Sequence, residues 1–428
     1  MKRLLWIPLV LAVLALALWW WLAHRSNAAP GMAEDPAIAA MLKDPTVIAK
    51  GRYLATAGDC VSCHTAQGGA RYAGGRLLPT PFGNVPSSNL TPDPQTGLGQ
   101  WRLEDFWRAL HSGVGRHGEL LYPVFSYTSF TKVTREDAIA IFAYLKSLPP
   151  VRQQATPLGL RFPYNVRATL AAWRALYFKE GVYQADPAQS ASWNRGAYLV
   201  QGLGHCIECH APRGTWGGVE PRAPLSGGRI PEVDWYAPDL SMQAHGGLQG
   251  WSKQDIVDLL KTGQASKGSA LGPMADVVVG STQHLRDEDL QAIADYLQSL
   301  PARPKPLTTK PSFDSKPLIE RGQGIYAQRC ASCHGKDGAG IAGVYPPLDG
   351  NATVLEPTGM NATRAVLLGG FAPLTQGNPR PYSMPPYAQQ LSDADVAAVV
   401  TYVRQAWSNR AAAVEERDVV TYRHTPVD

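Results

Sequence analysis

The chain of 428 residues is long enough for about three domains. It is 45% hydrophobic and 18% charged, the balance of a globular protein, and 40 Lys+Arg against 35 Asp+Glu leave a formal charge of +5. That charge is too small and too scattered for a nucleic-acid surface, so no nucleic-acid partner is expected.

The first element is an apolar run from Leu4 to Ala23 behind Lys2 and Arg3. About 20 residues suffice to span a bilayer as a helix, and basic residues on the short flank keep that end in the cytoplasm. Trp19, Trp20 and Trp21 fall where indole rings favour the outer interface. Residues 1–30 therefore read as a transmembrane anchor, with a cleaved signal sequence ending near Ser26-Asn27-Ala28 as the alternative. Either way the body is exported.

One helical module is then written three times. The first copy, residues 31–150, opens with Gly51-Arg-Tyr53 and carries "QWRLEDFWRALHSG" and the closing helix "TREDAIAIFAYLKSLPP", with Thr134 as cap. Residues 151–190 form a linker with an aromatic helical stretch at 168–183. The second copy, 191–300, repeats the plan with Gly196-Ala-Tyr198, "GWSKQDIVDLLKTG" and "RDEDLQAIADYLQSLPA". Phe106 and Leu110 align with Ile256 and Leu260 at helical spacing, and Gly113 and Gly263 read as helix stops. A Pro- and Lys-rich linker, 301–317, predicts extended chain. The third copy, 318–409, begins near Gly322 and closes with "SDADVAAVVTYVRQAW", capped by Ser392; the polar tail 410–428 carries no pattern. Together these predict an all-α protein with much loop and little sheet.

The six cysteines fall as Cys60-Val-Ser-Cys63-His64, Cys206-Ile-Glu-Cys209-His210 and Cys330-Ala-Ser-Cys333-His334, with none left over. C-x-x-C-H is the attachment motif of c-type heme. Two thiols one helical turn apart can add to the two vinyl groups of one porphyrin, which places the adjacent histidine under the iron. Three covalently bound heme c groups are expected, with His64, His210 and His334 as proximal ligands.

The second axial ligand of such an iron is usually Met or His. Met274 in "GPMADVV" and Met384 in "YSMPPY" stand in matching loops before the last helices of copies two and three. Met242 and Met360 come too early and read as packing. The matching residue in copy one is Phe125 of "YPVFSY", which cannot bind iron. His117, and less so His111, could take its place, or the site is open. Each proximal imidazole also needs a partner for its other nitrogen; "PTPFG" (79–83), "APLSGG" (223–228) and "YPPLDG" (345–350) are the candidate carbonyl donors.

"TPFGNVPSSNLTPDPQTGLGQW", "NRGAYLVQGLGHCIECHAPR", "GPMADVVVGSTQHL" and "NPRPYSMPPYAQQLSD" make the chain resemble the triheme cytochrome c subunits of bacterial membrane-bound dehydrogenases. These serve alcohol, gluconate, sorbitol, fructose and aldehyde dehydrogenases. The resemblance implies three tandem class I-type cytochrome c domains behind an N-terminal transmembrane helix. It implies a separate catalytic subunit of molybdenum, quinoprotein or flavin type, and ubiquinone or another respiratory acceptor. The "YPxF" form is more similar to members paired with molybdenum hydroxylases of aldehydes or N-heteroaromatics. No dinucleotide loop, flavin fingerprint or spare cysteine points to a substrate site of the chain's own. An electron-transfer subunit is therefore expected, with a multiheme peroxidase acting at an open first heme as the alternative. A third role, tethering the partner through helix 168–183, is compatible with the first.

Overall fold

Three times the chain packs a helix leading into a CxxCH motif against the helix that closes the same segment. The leading helices are Pro45–Ala57, Ala191–Tyr198 and Lys316–Arg329; the closing helices are Arg135–Lys146, Asp287–Gln298 and Asp393–Gln405. The reason is the same each time. A Cβ on Gly51, Gly196 or Gly322 would lie 1.8, 1.9 or 2.1 Å from the carbonyl oxygen of Ala140, Ala292 or Ala398. Only glycine lets the two backbones approach so closely.

These relations come from a computed structural model that describes residues 35–220, 223–230, 233–244, 246–302 and 315–424. The apolar run at 4–23, the Ser26–Ala28 site and residues 303–314 of the Pro-rich linker lie outside the described residues. Among the described residues no helix is long and apolar enough to cross a membrane.

Caps fall where side-chain chemistry predicts them. The Thr134 hydroxyl accepts from the Asp137 N–H at 3.2 Å, and Ser392 and Asp395 cap each other's backbone reciprocally. The intermediate helices Leu103–Ser112 and Lys253–Thr262 stop at left-handed Gly113 and Gly263, with φ of 59° and 80°. Phe106, Leu110 and Ile256 are buried, but Leu260 is only half-buried. Helix Met360–Leu368 occupies the corresponding stretch of copy three, and its Met360 is fully buried packing. Strands among the described residues are two to four residues long and pair antiparallel.

The described residues up to Gln184 form one compact unit and those from Ala185 onward a second. The segment expected as a linker with a helix, 151–190, packs on copy one as far as Tyr183. Gly159–Leu160 pairs with Asn84 and Gly83, and the Tyr183 N–H donates to the Lys132 carbonyl at 3.0 Å. Helix Leu170–Tyr177 sets Trp173 edge-on to Tyr127, centroids 6.4 Å apart, and Phe178 does the same at 5.0 Å. The aromatic residues decide the outcome over the prolines, because their rings gain more by burial than the segment loses in chain freedom.

The tail, patternless in sequence, is also packed. It turns back at Trp407, and helix Glu416–Arg423 buries Val419 beside Val414 in the core of copy three. Arg404 is fully buried there and donates to the carbonyls of Ala412, Val354 and Glu356. Arg423 fixes the helix by donating to the Leu391 carbonyl at 3.0 Å and pairing with Asp393. Charged residues spaced through the tail hid these few inward-facing contacts. Within the second unit, copies two and three touch: the Thr375 hydroxyl donates to the Thr262 carbonyl at 3.1 Å.

Candidate functional site

Each CxxCH occupies one helical turn. Cys60 and Cys63 lie on helix Cys60–Cys63, Cys206 precedes helix Ile207–His210, and Cys330 precedes helix Ala331–His334. The histidine N–H donates four residues back, to the carbonyl of Cys60, Cys206 or Cys330, at 3.0, 2.9 and 3.0 Å. That turn puts both sulfurs on the side from which the imidazole projects. All six cysteines are free of disulfides. Burial pushes the Cys60 and Cys206 thiols up to about 12 and Cys330 to about 11, so none of these three is a thiolate poised to bind a metal unaided. Among the described residues no group of three or more His, Cys, Asp and Glu side chains could hold a metal ion.

The three histidines share a second feature. Nδ1–H donates to a backbone carbonyl: Ser88 for His64 at 2.7 Å, Pro238 for His210 at 2.8 Å, Pro346 for His334 at 3.0 Å. A carbonyl can only accept, so the proton is on Nδ1 and the Nε2 lone pair is left for a metal. Burial lowers the pKa of all three, against the opposing effect of that hydrogen bond, which keeps them neutral as a metal ligand must be. Of the carbonyl segments expected, only 345–350 holds its histidine. The partners in copies one and two lie later in the chain: 79–83 forms a turn closed between Thr80 and Gly83, and 223–228 turns back to the His210 carbonyl through Gly227. Gly74, Gly227 and Gly340, with φ of 75°, 79° and 68°, donate their N–H to the carbonyl of His64, His210 and His334 at 2.8, 2.9 and 2.9 Å. Glycine downstream of each motif was the readable signal for this brace.

Phe125, Met274 and Met384 are each half-buried. Their settings differ from the common loop expected. Met274 lies in the first turn of helix Pro273–Gly280, and Met384 is in strand Ser383–Met384, paired with Gly370–Phe371. In copies two and three an aromatic contact joins this segment to the one holding the histidine. Trp235, near Pro238, lies under Gly272: a Cβ there would be 2.5 Å from the indole. Tyr345, next to Pro346, stands edge-on to Tyr382 at 5.5 Å. The structure thus brings together the two segments that an iron between His and Met would need.

In copy one Phe125 packs on Phe130, centroids 5.5 Å apart, and on Tyr127 at 6.5 Å, the ring that helix Leu170–Tyr177 covers. His111 is engaged at both ring nitrogens, Nδ1 with the Thr131 carbonyl at 2.9 Å and Nε2 with Glu180 at 3.3 Å, and stacks on Trp107. His117 is exposed in the turn that Glu119 closes through the His117 N–H. The Tyr122 hydroxyl is buried with no hydrogen-bond partner among the described residues. A buried hydroxyl in that condition suits a site completed by an added group with acceptor oxygens. The thiols, the oriented imidazoles and this hydroxyl all fit a covalently held heme.

The family model for cytochrome c matches residues 48–149, 194–301 and 319–407. The chain is 38% identical over 398 residues to the cytochrome c subunit of a quinone alcohol dehydrogenase of Gluconobacter oxydans, covering 89% of this chain and 83% of that one. It is 36% identical over 413 residues to a gluconate 2-dehydrogenase cytochrome c subunit of Pantoea cypripedii, covering 92% and 91%. It is 40% identical over 404 residues to a nicotinate dehydrogenase subunit of Pseudomonas putida, where 93% of this chain spans only 33% of the relative. The chain therefore belongs to the cytochrome c family, among the cytochrome c subunits of dehydrogenases.

Proposed function

We propose that the chain is a triheme electron-transfer subunit, with one heme c on each CxxCH motif in three tandem class I-type domains. It passes electrons from a catalytic dehydrogenase subunit to ubiquinone or another respiratory acceptor on the periplasmic side of the inner membrane, with the residues before 31 as membrane anchor. The observation that carries this reading is the threefold repetition of a CxxCH turn whose histidine donates Nδ1–H to a backbone carbonyl and is oriented by it. Bound heme supplies reversible one-electron chemistry at iron. The chain's residues would do the rest: the six thiols would fix the groups, the three imidazoles are oriented to ligate, and Met274 and Met384 would supply soft sulfur that favours reduced iron at sites two and three.

Site one is set apart by Phe125, which leaves its sixth position open or closed by a group other than sulfur. His111 is committed to Thr131 and Glu180, which supports exposed His117 over it as the replacing histidine. A peroxidase at site one would need a distal acid–base group, and the ring cluster around Phe125 is apolar. The partner dehydrogenase is inferred to oxidise an aldehyde or an N-heteroaromatic ring; the "YPxF" form and the likeness to a nicotinate dehydrogenase support this.

Purifying the tagged chain from its native membranes tests the reading. A larger catalytic subunit is expected to accompany it, and adding that subunit's substrate should reduce the heme absorption. A chain that arrives without any dehydrogenase and turns over hydrogen peroxide with a reduced donor would overturn it.

A further inference from the structure

Copy three reaches into the site of copy two. Asn361, in the first turn of helix Met360–Leu368, docks on the edge of strand Trp235–Ala237. The Tyr236 N–H donates to Asn361 Oδ1 at 2.9 Å, and Asn361 Nδ2 donates to the Tyr236 carbonyl at 2.7 Å. The amide thereby acts as one more strand residue and fixes Tyr236 in both directions. Asn361 is in turn held by Glu356, whose carboxylate accepts its backbone N–H at 3.2 Å. Both residues are buried, at 2% and 1% exposure. One turn along the helix, the fully buried Arg364 guanidinium lies over the Trp235 ring, 5.0 Å from its centroid.

The clamped strand carries both halves of site two. Two residues past Tyr236 is Pro238, whose carbonyl orients His210. Trp235 is the floor under Gly272, where φ is +52° and no side chain would fit, two residues before Met274. A shift of this strand moves the His210 partner and the Met274 segment together. Copy one cannot be held this way: Pro86 stands two residues before Ser88, as Tyr236 does before Pro238, and proline has no N–H to donate. Buried, doubly bonded amides hold geometry well because a displaced backbone N–H and C=O would lose their partners without gaining water.

We propose that Asn361 and Arg364, carried by copy three, are positioning residues for the iron site of copy two. They act through Trp235–Pro238 on His210 and Met274. The proposal rests on the reading of Cys206–His210 as a heme site. It makes copies two and three one redox unit, in which the second iron has its intended ligand field only when copy three is folded against it.

The test is a redox titration, followed by optical and magnetic resonance spectra, of the full heme-loaded chain and its Asn361→Leu and Arg364→Met variants. The heme of site two is identified as the one whose low-spin signal changes in Met274→Leu. The midpoint of that heme is expected to move in both variants while the other two stay. Arg364→Lys, which keeps the cation over Trp235, should restore it. If no midpoint moves, or if only the heme of copy three moves or is lost, the proposal is overturned. If Asn361→Leu does not fold, the Arg364 pair decides alone. A heme count on the unmodified chain separates the two layers: fewer than three hemes defeats the underlying reading, whereas three hemes with unmoved midpoints defeats only this inference.

Discussion

Gly51, Gly196 and Gly322 show how much a single residue decides here. Each meets a backbone oxygen of the closing helix at a distance no Cβ can share, and backbone cannot swing aside as a side chain can. Gly51→Ala should destabilise the first unit by about 3 kcal/mol through overpacking, read as a lower denaturant midpoint for its transition. The sequence displayed these glycines beside an aromatic three times, but not their purpose, since the partner alanine is distant in the chain. At the same scale, Asp395 is held below its ordinary carboxylate value, first by the Ser392 hydroxyl and also by Arg321, against a smaller opposing effect of burial. Its folded pKa is depressed, so the stability it adds is full above the unfolded value of about 4 and is lost as pH falls through the folded value. Ser392→Ala should therefore lower stability at neutral pH and flatten the acid limb of the stability curve. An unchanged limb would mean that the cap does not hold this carboxylate.

Among the elements, those with repeated apolar spacing and a capping residue were legible: the three closing helices, two intermediate helices and three CxxCH turns all appear where the pattern put them. What stayed hidden depends on contacts with no local period. The segment from 151 to 184 binds to copy one through a two-residue strand and three rings, and the tail binds to copy three through two arginines. The carbonyls opposite His64 and His210 were misplaced for the same reason, since nothing in a sequence marks a carbonyl. The tail makes a quantitative prediction. Arg404→Ala would strand the carbonyls of Val354, Glu356 and Ala412 and leave the buried Glu356 without its nearby cation. A loss of about 3–5 kcal/mol is expected for the third copy, measured as a lower melting temperature. A loss below about 1 kcal/mol would show that water replaces the guanidinium.

At the scale of the whole molecule, one CxxCH module is used three times, with Phe125 standing where the other copies have Met274 and Met384. Under the triheme reading, Met274 and Met384 would offer sulfur to the second and third irons, while Phe125 stands at that position in copy one within an apolar ring cluster. Loss of thioether ligation lowers a heme potential, so on that reading Phe125 would make site one the lowest of the three. A reversible redox titration of the purified chain, alone and as Phe125→Met, tests this most directly. Three one-electron steps are expected, the lowest belonging to the heme on Cys60–Cys63, with a rise of that step alone in the variant. Fewer than three steps, or a site-one potential that is not the lowest and does not respond to Phe125→Met, would contradict this ordering.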